Sequence, residues 1–277
     1  GNYKTTLENG VEFEHGIIIV ATGGNEYTPT EYLYGQDERI VTQRELEERI
    51  ALESNFQDLK SIVMIQCVGS RDDQRPYCSR YCCSQSIKNA LKMKDHNPKT
   101  NIYILYRDIR TYGFKEEFYG TAREKGVDFI RYDLKNKPQV IKNNGHLEVR
   151  VTDPLLSQEL IINPDLIALS AGCLPQEDNG SLAQLLKVPL NAEGFFLEAH
   201  VKLRPVEFAT EGVFLAGLCH SPKGIPETIA QAYAAASRAC TLLGKDQIEA
   251  EGQIAEVNIN RCTACGICES ICAFKAV

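Results

Sequence analysis

The sequence predicts an α/β protein built on a parallel sheet, from three observations. The first is the stretch Ser61–Met93, SIVMIQCVGSRDDQRPYCSRYCCSQSIKNALKM, which reads as a buried strand (Ile62–Ile65), a glycine turn at Gly69, a polar excursion and a helix. The second is the alternation that follows it: a strand at Asn101–Tyr106, a helix of about ten residues from Lys115 to Lys125, and a strand at Val127–Tyr132. Such strand–helix alternation implies βαβ units and hence parallel strands. The third is that Ile17–Val20 is a continuous apolar run, the pattern of a strand covered on both faces, and that Ile62–Ile65 and Leu166–Ser170 read as further buried strands.

Taken in order, residues 3–20 read as a hairpin turning at Asn9-Gly10, followed by the run Ile17–Val20, which ends in Ala21-Thr22-Gly23-Gly24. Small residues at a strand end let a cofactor or another backbone approach closely, and a tight turn would use the same residues. Residues 42–53 form an amphipathic helix with Thr42 at its N-cap and Glu45 three positions on, a capping box. After the parallel unit, residues 140–162 alternate as an antiparallel meander with a turn at Asn144-Gly145. Leu166–Ser170 then leads into Ala171-Gly172-Cys173. Leu182–Leu186 reads as a short helix, Phe195–Phe196 as a short strand, and residues 212–217 (GVFLAG) as a strand ending in glycine. A small-residue helix runs from about Glu227 to Leu243, and a polar linker, Gly244–Gly252, precedes a distinct tail. Residue 1 stands directly before a strand and Val277 just past a cysteine motif, so the chain reads as a stretch of a longer one.

Composition bounds the function. With 277 residues, 43% hydrophobic and 24% charged, the chain can bury a sizeable core. A net charge of −7 argues against nucleic acid or an anionic membrane as the main partner, and no segment approaches the roughly 20 apolar residues that span a bilayer. The opening GNYKTTLENG lacks the apolar region of a secretion signal, which gives a cytoplasmic reading. Eight of the eleven cysteines crowd into two clusters, which favours metal ligation or redox work over structural disulfides.

The tail holds Cys262, Cys265, Cys268 and Cys272 at the spacing C-x2-C-x2-C-x3-C. Short loops of this spacing wrap thiolates around a cubane, as in bacterial ferredoxins. A zinc site would more often pair two C-x2-C units over a longer interval. Ala273 stands where that pattern usually has proline, and in two-cluster ferredoxins the fourth cysteine ligates the other cluster. Within Ser61–Met93, a strand–turn–helix of the kind that opens a nucleotide site carries Cys67, Cys78, Cys82 and Cys83 in place of the glycine fingerprint. The residues alone leave three readings: an iron–sulfur site, a redox thiol pair, or buried free cysteines. Neighbours on an ideal helix point about 100° apart, so Cys82 and Cys83 share a ligand only at an irregular helix start. The strand GVFLAG followed by GIPETIAQAYAAASRACTLLG fits a flavin-facing strand and helix, whose dipole would stabilise an anionic reduced flavin; the helix alone would equally suit a surface helix with an alanine-rich buried face.

Together ATGG, CVGSRD…YCSRYCC, VFLAGLCHSPKGIPETIAQA and VTQRELEE resemble the flavin-bearing A subunit of heterodisulfide reductase over nearly the whole chain. The resemblance implies a two-dinucleotide-binding, thioredoxin-reductase-like flavoprotein fold, truncated at the N-terminus, with the start of a ferredoxin-like α+β module. It implies a partial FAD-binding domain over 1–58, a modified nucleotide-binding βαβ domain with the cysteine cluster over 59–138, a return to the FAD-binding domain over 139–244, and a truncated ferredoxin-like module over 253–277. It further implies FAD beside Thr22, Gly23, Gly217, Leu218, Ile225, Pro226 and Gln231, and a lysine, Lys88, near flavin N5 as a catalytic cation. [4Fe–4S] clusters would sit on Cys67, Cys78, Cys82 and Cys83 and on the tail cysteines. Electrons would pass between FAD, clusters and partner subunits or electron-donor proteins of the complex, with flavin-based bifurcation as one mode. The first-strand fingerprint G-x-G-x-x-G is absent, and CVGSRD replaces the second, which implies weak FAD binding by this stretch and no direct reduction by NAD(P)H. The rival readings are a pyridine-nucleotide disulfide oxidoreductase and a non-catalytic metal-binding interaction module.

Overall fold

The computed structural model describes residues 2–52, 56, 58–247 and 255–272. The chain forms two compact units, Gly1–Asn25 with Leu174–Val277, and Glu26–Cys173. The expected boundaries at 58/59 and 138/139 both fall inside the second unit.

The first unit opens with β1 (Tyr3–Thr6) and β2 (Glu12–His15), an antiparallel hairpin whose turn places Gly10 at φ 81°. β3 (Ile18–Val20) follows. It was expected to be covered on both faces, yet Ile19 is 41% exposed, so one face is open at that position.

The second unit runs through β4 (Ile40–Thr42), α1 (Gln43–Ala51), β5 (Ser61–Val68), α2 (Cys82–His96), β6 (Asn101–Tyr106), α3 (Glu116–Glu124) and β7 (Val127–Arg131). It then continues through β8 (Gln139–Asn143), β9 (His146–Asp153), β10 (Gln158–Ile162) and β11 (Leu166–Ala171). Thr42 caps α1 as its sequence requires: the Glu45 amide donates to Thr42 Oγ1 at 3.2 Å and the Thr42 amide to Glu45 Oε2 at 2.7 Å. Five strands form one parallel sheet in the order β4-β11-β5-β6-β7. β11 lies between two neighbours and is buried at every position. On one face, Ile62, Met64, Ile102 and Ile104 pack against Leu46, Ile87, Ala90, Met93 and Ala122 of the three helices. On the other, Val63, Ile65, Leu105 and Ile167 pack against Leu147, Val149 and Val151 of the antiparallel meander β10-β9-β8. Each such side chain contributes about 1.5–3 kcal/mol by leaving water, so the three layers are held mainly from the sheet's two faces. The unit's ends meet, since the Tyr27 amide donates to the Gly172 carbonyl at 2.8 Å.

The chain returns to the first unit with α4 (Asn179–Leu186), β12 (Val213–Leu215), α5 (Ile225–Leu243) and α6 (Ile267–Ile271). β12 pairs in parallel with β3. Phe195–Phe196 forms no strand. The turn at Gly194, φ 90°, diverts the chain, and Phe196 makes one bridge to Leu190 while its ring packs on Phe208 at 5.8 Å. Helix α5 starts two residues earlier than expected, and its buried residues are Ala235 and Ala239. Residues 248–252 of the expected linker and Ala273–Val277 of the tail lie outside the described residues.

Candidate functional site

Strand β5 is where the cysteine site begins. Its pairing with β11 slips between Leu169/Ile65 and Ala171/Val68, so Gln66 and Cys67 together oppose Ser170. This is a bulge, with Cys67 in left-handed backbone at φ 62°. A bulge breaks the strict two-residue alternation of a strand and re-aims one side chain. The turn that follows needs Gly69, φ 66°, because a Cβ there would stand 2.0 Å from the Tyr27 ring. Gly172 is required next to it: its Cβ would meet the Gly69 carbonyl oxygen at 2.7 Å. Two glycines thus let the ends of β5 and β11 close together.

The excursion from Arg71 to Arg80 is tied down rather than loose. Arg71 and Arg80 also have positive φ, 58° and 63°. Arg75 Nε donates to the Gly69 carbonyl at 2.7 Å, Tyr77 Oη to the Cys173 carbonyl at 2.9 Å, and the Cys173 amide to Ser79 Oγ at 2.8 Å. The excursion therefore delivers Cys78 to the start of α2, where Cys82 and Cys83 are buried. The N-terminus of α2 has no side-chain cap, and the Arg80 amide donates to Cys78 Sγ at 3.3 Å.

The four thiols share one electrostatic environment. Cys67 interacts with Cys78 and Cys83, and Cys82 with all three others. Burial pushes the Cys67 thiol up to about 11, opposed by Arg71, whose Nη1 lies 3.9 Å from the sulfur. Cys82 and Cys83 are hydrogen-bonded to one another, which holds Cys83 down to about 7 and raises Cys82. They are the first two residues of α2. Among the described residues no three His, Cys, Asp or Glu side chains are placed to hold a single metal ion. A four-iron cluster takes each thiolate on a different iron, so its ligands surround a cubane and do not meet at one ion. The surroundings fit an anionic cluster: Arg71 and Arg110 supply positive charge, and Gln66 and Ser84, the chain neighbours of Cys67 and Cys83, carry buried side-chain atoms with no partner.

Lys88, five residues beyond Cys83, is ion-paired with Glu47 of α1 on the half-exposed surface of the helical layer. The expected flavin residues belong to the other unit.

In that unit, β3 and β12 lie side by side and bring Thr22-Gly23 and Gly217-Leu218 out at neighbouring strand ends, with the Ala216 amide donating to the Val20 carbonyl at 3.0 Å. Gly23 and Gly217 have φ 80° and 84°, and a Cβ on Gly23 would meet nothing within 4 Å. The Gly217 amide donates to Gln231 Oε1 at 2.9 Å. Leu218 is half-buried, and Ile225 and Pro226 are exposed at the start of α5. Sequence reading passed over three further residues here. Lys223, almost fully buried, donates to the Gly217 carbonyl at 2.7 Å; His220 contacts Gln231 at 2.9 Å and Glu198 at 2.8 Å. The available signal was the pair His220 and Lys223 inside the two-proline turn CHSPKGIP.

The tail cysteines are held less closely. Cys262, Cys265 and Cys268 are exposed and Cys272 half-buried, around turns at Ala264 and Gly266, φ 56° and 70°, that precede α6. The Ala264 amide donates to Cys262 Sγ at 3.4 Å, and the Ile267 amide lowers the Cys265 thiol.

No protein-family model matches the chain. Among solved structures it is similar to Lactococcus lactis thioredoxin reductase, with a TM-score of 0.57 and 17% identity over 88% of this chain and 71% of that one. It is also similar to T. acidophilum thioredoxin reductase, with a TM-score of 0.53 and 15% identity over 85% and 67%. The fold is thus that of the thioredoxin-reductase-like flavoproteins. Among curated proteins, the A subunit of the H(2):CoB-CoM heterodisulfide,ferredoxin reductase of Methanothermobacter thermautotrophicus is 40% identical over 286 residues, 96% of this chain and 43% of that protein. The iron-sulfur A subunit of the CoB--CoM heterodisulfide reductase of Methanocaldococcus jannaschii is 39% identical over 287 residues, with the same coverage. The chain belongs to the family of heterodisulfide reductase A subunits and spans less than half the length of these relatives.

Proposed function

We propose that this chain is an electron-transfer portion of an oxidoreductase subunit in a heterodisulfide reductase-like complex, carrying an iron–sulfur cluster where a nucleotide-binding reductase would hold its second nucleotide. The observation that carries the reading is the gathering of four thiols between a bulged strand end and an uncapped helix N-terminus. Cys67, Cys78, Cys82 and Cys83 would hold one [4Fe–4S] cluster, with Arg71 and the Arg80 amide offsetting its negative charge; the cluster would supply single-electron transfer. The tail cysteines would hold part of a second centre. FAD would lie against Thr22, Gly23, Gly217, Leu218, Ile225, Pro226 and Gln231, where Lys223 and His220 fix the Gly217 turn and the α5 N-terminus favours negative charge. Lys88 would act as a cation toward the flavin. Other subunits of the complex and electron-donor proteins would be the partners. No helix among the described residues is long and apolar enough to cross a membrane. The cytoplasm is our reading of its compartment, from the crowding of cysteines suited to metal or redox work.

The vicinal pair Cys82–Cys83 supports a second reading, a redox thiol pair, because Cys83 is held near 7. Anaerobic reconstitution followed by iron analysis and electron paramagnetic resonance separates the two. The cluster reading expects about four irons at this site, lost together in Cys67→Ser and Cys83→Ser while the tail cysteines stay intact. Iron-free protein with two titratable thiols would establish the pair instead. Visible flavin absorbance at stoichiometric level in the isolated stretch would overturn the expected weak FAD binding.

A further inference from the structure

The carboxyl ends of β5, β6 and β7 open on one edge of the parallel sheet, because neighbouring parallel strands all point the same way. A cation stands at or just past each: Arg71, Arg107 and Arg131. Together with Lys135 they line a cleft of about 550 Å³, within the size range of small-molecule sites.

We propose that this cleft binds a phosphoanhydride, either the diphosphate of a nucleotide or inorganic pyrophosphate, on Arg107, Arg131 and Lys135. Two carboxylates share the lining, Asp108 and Asp133. Asp108 is already engaged, 2.6 Å from Arg71 Nη2 and 3.6 Å from Arg110. Arg107 is oriented by one bond, Nη1 donating to the Arg71 carbonyl at 2.6 Å. Among the described residues, Arg107, Arg131 and Lys135 make no ion pair, so positive charge is in surplus even after Asp133 is counted. Arginine's forked donors match phosphoryl oxygens in pairs. Arg107 and Arg131 stand at neighbouring strand ends about 4.8 Å apart, and Lys135 follows four residues past the second, so the three donors can engage more than one phosphoryl group.

The site differs from an ordinary dinucleotide site in its anchor. There the diphosphate rests on the helix N-terminus; here the cysteines occupy that place, and the anion would lie beyond Arg71, on the β6 and β7 side. The proposal uses none of the thiols, and Arg71 borders both the cleft and the cysteine site.

Isothermal titration calorimetry on the purified full chain tests it, with pyrophosphate, ADP, orthophosphate and citrate as probes at low salt. Pyrophosphate or ADP should saturate one site at least ten-fold more tightly than orthophosphate or citrate, and weaken as salt rises. Arg131→Glu and Arg107→Gln should each weaken binding ten-fold or more with unchanged thermal unfolding, while Lys99→Gln, elsewhere on the surface, should leave it unchanged. Tighter binding of ADP than of pyrophosphate assigns the site to a nucleotide; equal binding assigns it to the free anhydride. Absence of one-to-one saturation by both, equal binding of citrate, or indifference to both arginine variants overturns the proposal.

Discussion

Arg71 and Cys67 both occupy left-handed backbone, four residues apart, and the Arg71 guanidinium reaches to within 3.9 Å of the Cys67 sulfur while holding Asp108 at 2.6 Å. One side chain thus ties the bulge of β5 to the segment after β6. In Arg71→Met the Cys67 thiol should rise further and the Asp108 carboxyl, now held low chiefly by that guanidinium, should return toward its ordinary value. Because Asp108 is about half exposed, the stability lost at neutral pH should be modest, about 1 kcal/mol. A carboxyl depressed in the folded state stabilises above its unfolded value near 4 and loses that contribution as pH falls through the folded one. Urea unfolding at pH 7 and pH 3 should therefore show the deficit shrinking in acid; an equal deficit at both would contradict this account.

The two glycines of the site make different predictions. Gly69→Ala carries a left-handed strain of about 1–2 kcal/mol and drives a Cβ into the Tyr27 ring. Adding Tyr27→Ala should recover the clash but not the strain. In Gly172→Ala the obstacle is the Gly69 carbonyl, which is backbone, so no side-chain truncation should rescue it. Overpacking of this kind costs about 1–3 kcal/mol, readable in thermal unfolding of the three variants. Rescue of Gly172→Ala by Tyr27→Ala would show that the two contacts are not the separate ones described.

His220 supplies a pH-dependent test in the other unit. Burial, followed by the Lys223 ammonium, holds its imidazole below the ordinary value, with Glu198 acting in the opposite sense. A histidine kept neutral by the fold takes up protons on unfolding, so stability should fall as pH drops through about 6.5. Lys223→Met should raise the His220 titration and Glu198→Gln lower it, followed by imidazole resonances. Lys223→Met should also cost about 1–3 kcal/mol, since the Gly217 carbonyl loses its charged donor and keeps only the His220 amide at 3.2 Å. Opposite movement in either variant would refute the assignment.

Local signals in the sequence reached the fold's elements. The capping box at Thr42, the turns at Asn9-Gly10 and Asn144-Gly145, and the apolar runs of β5, β6 and β11 lie where propensity and periodicity put them. What stayed hidden is long-range. Nothing in the run Leu166–Ala171 says that it inserts between β4 and β5, across a hundred residues. The bulge at Cys67 depends on the register of β11, and the Tyr27–Gly69 contact joins residues 42 positions apart. Phe195–Phe196 had strand-like residues, but a pair is too short to carry a period, and packing on Phe208 decided its conformation. At the cysteines, residue types point to metal or redox chemistry, while the delivery of Cys78 to the start of α2 depends on the bonds of Tyr77 and Ser79 to the backbone of Cys173, which spacing does not encode.

The hydrogen bond from the Tyr27 amide to the Gly172 carbonyl has an architectural consequence. It brings the entry and exit of Glu26–Cys173 to one spot, so this stretch is topologically a cassette with adjoining termini, its two hydrophobic cores wholly its own. A module of that kind can be lifted out, grafted into another host loop or circularly permuted without crossing its own strands. Four thiols and a cationic cleft would travel with it as a single heritable package.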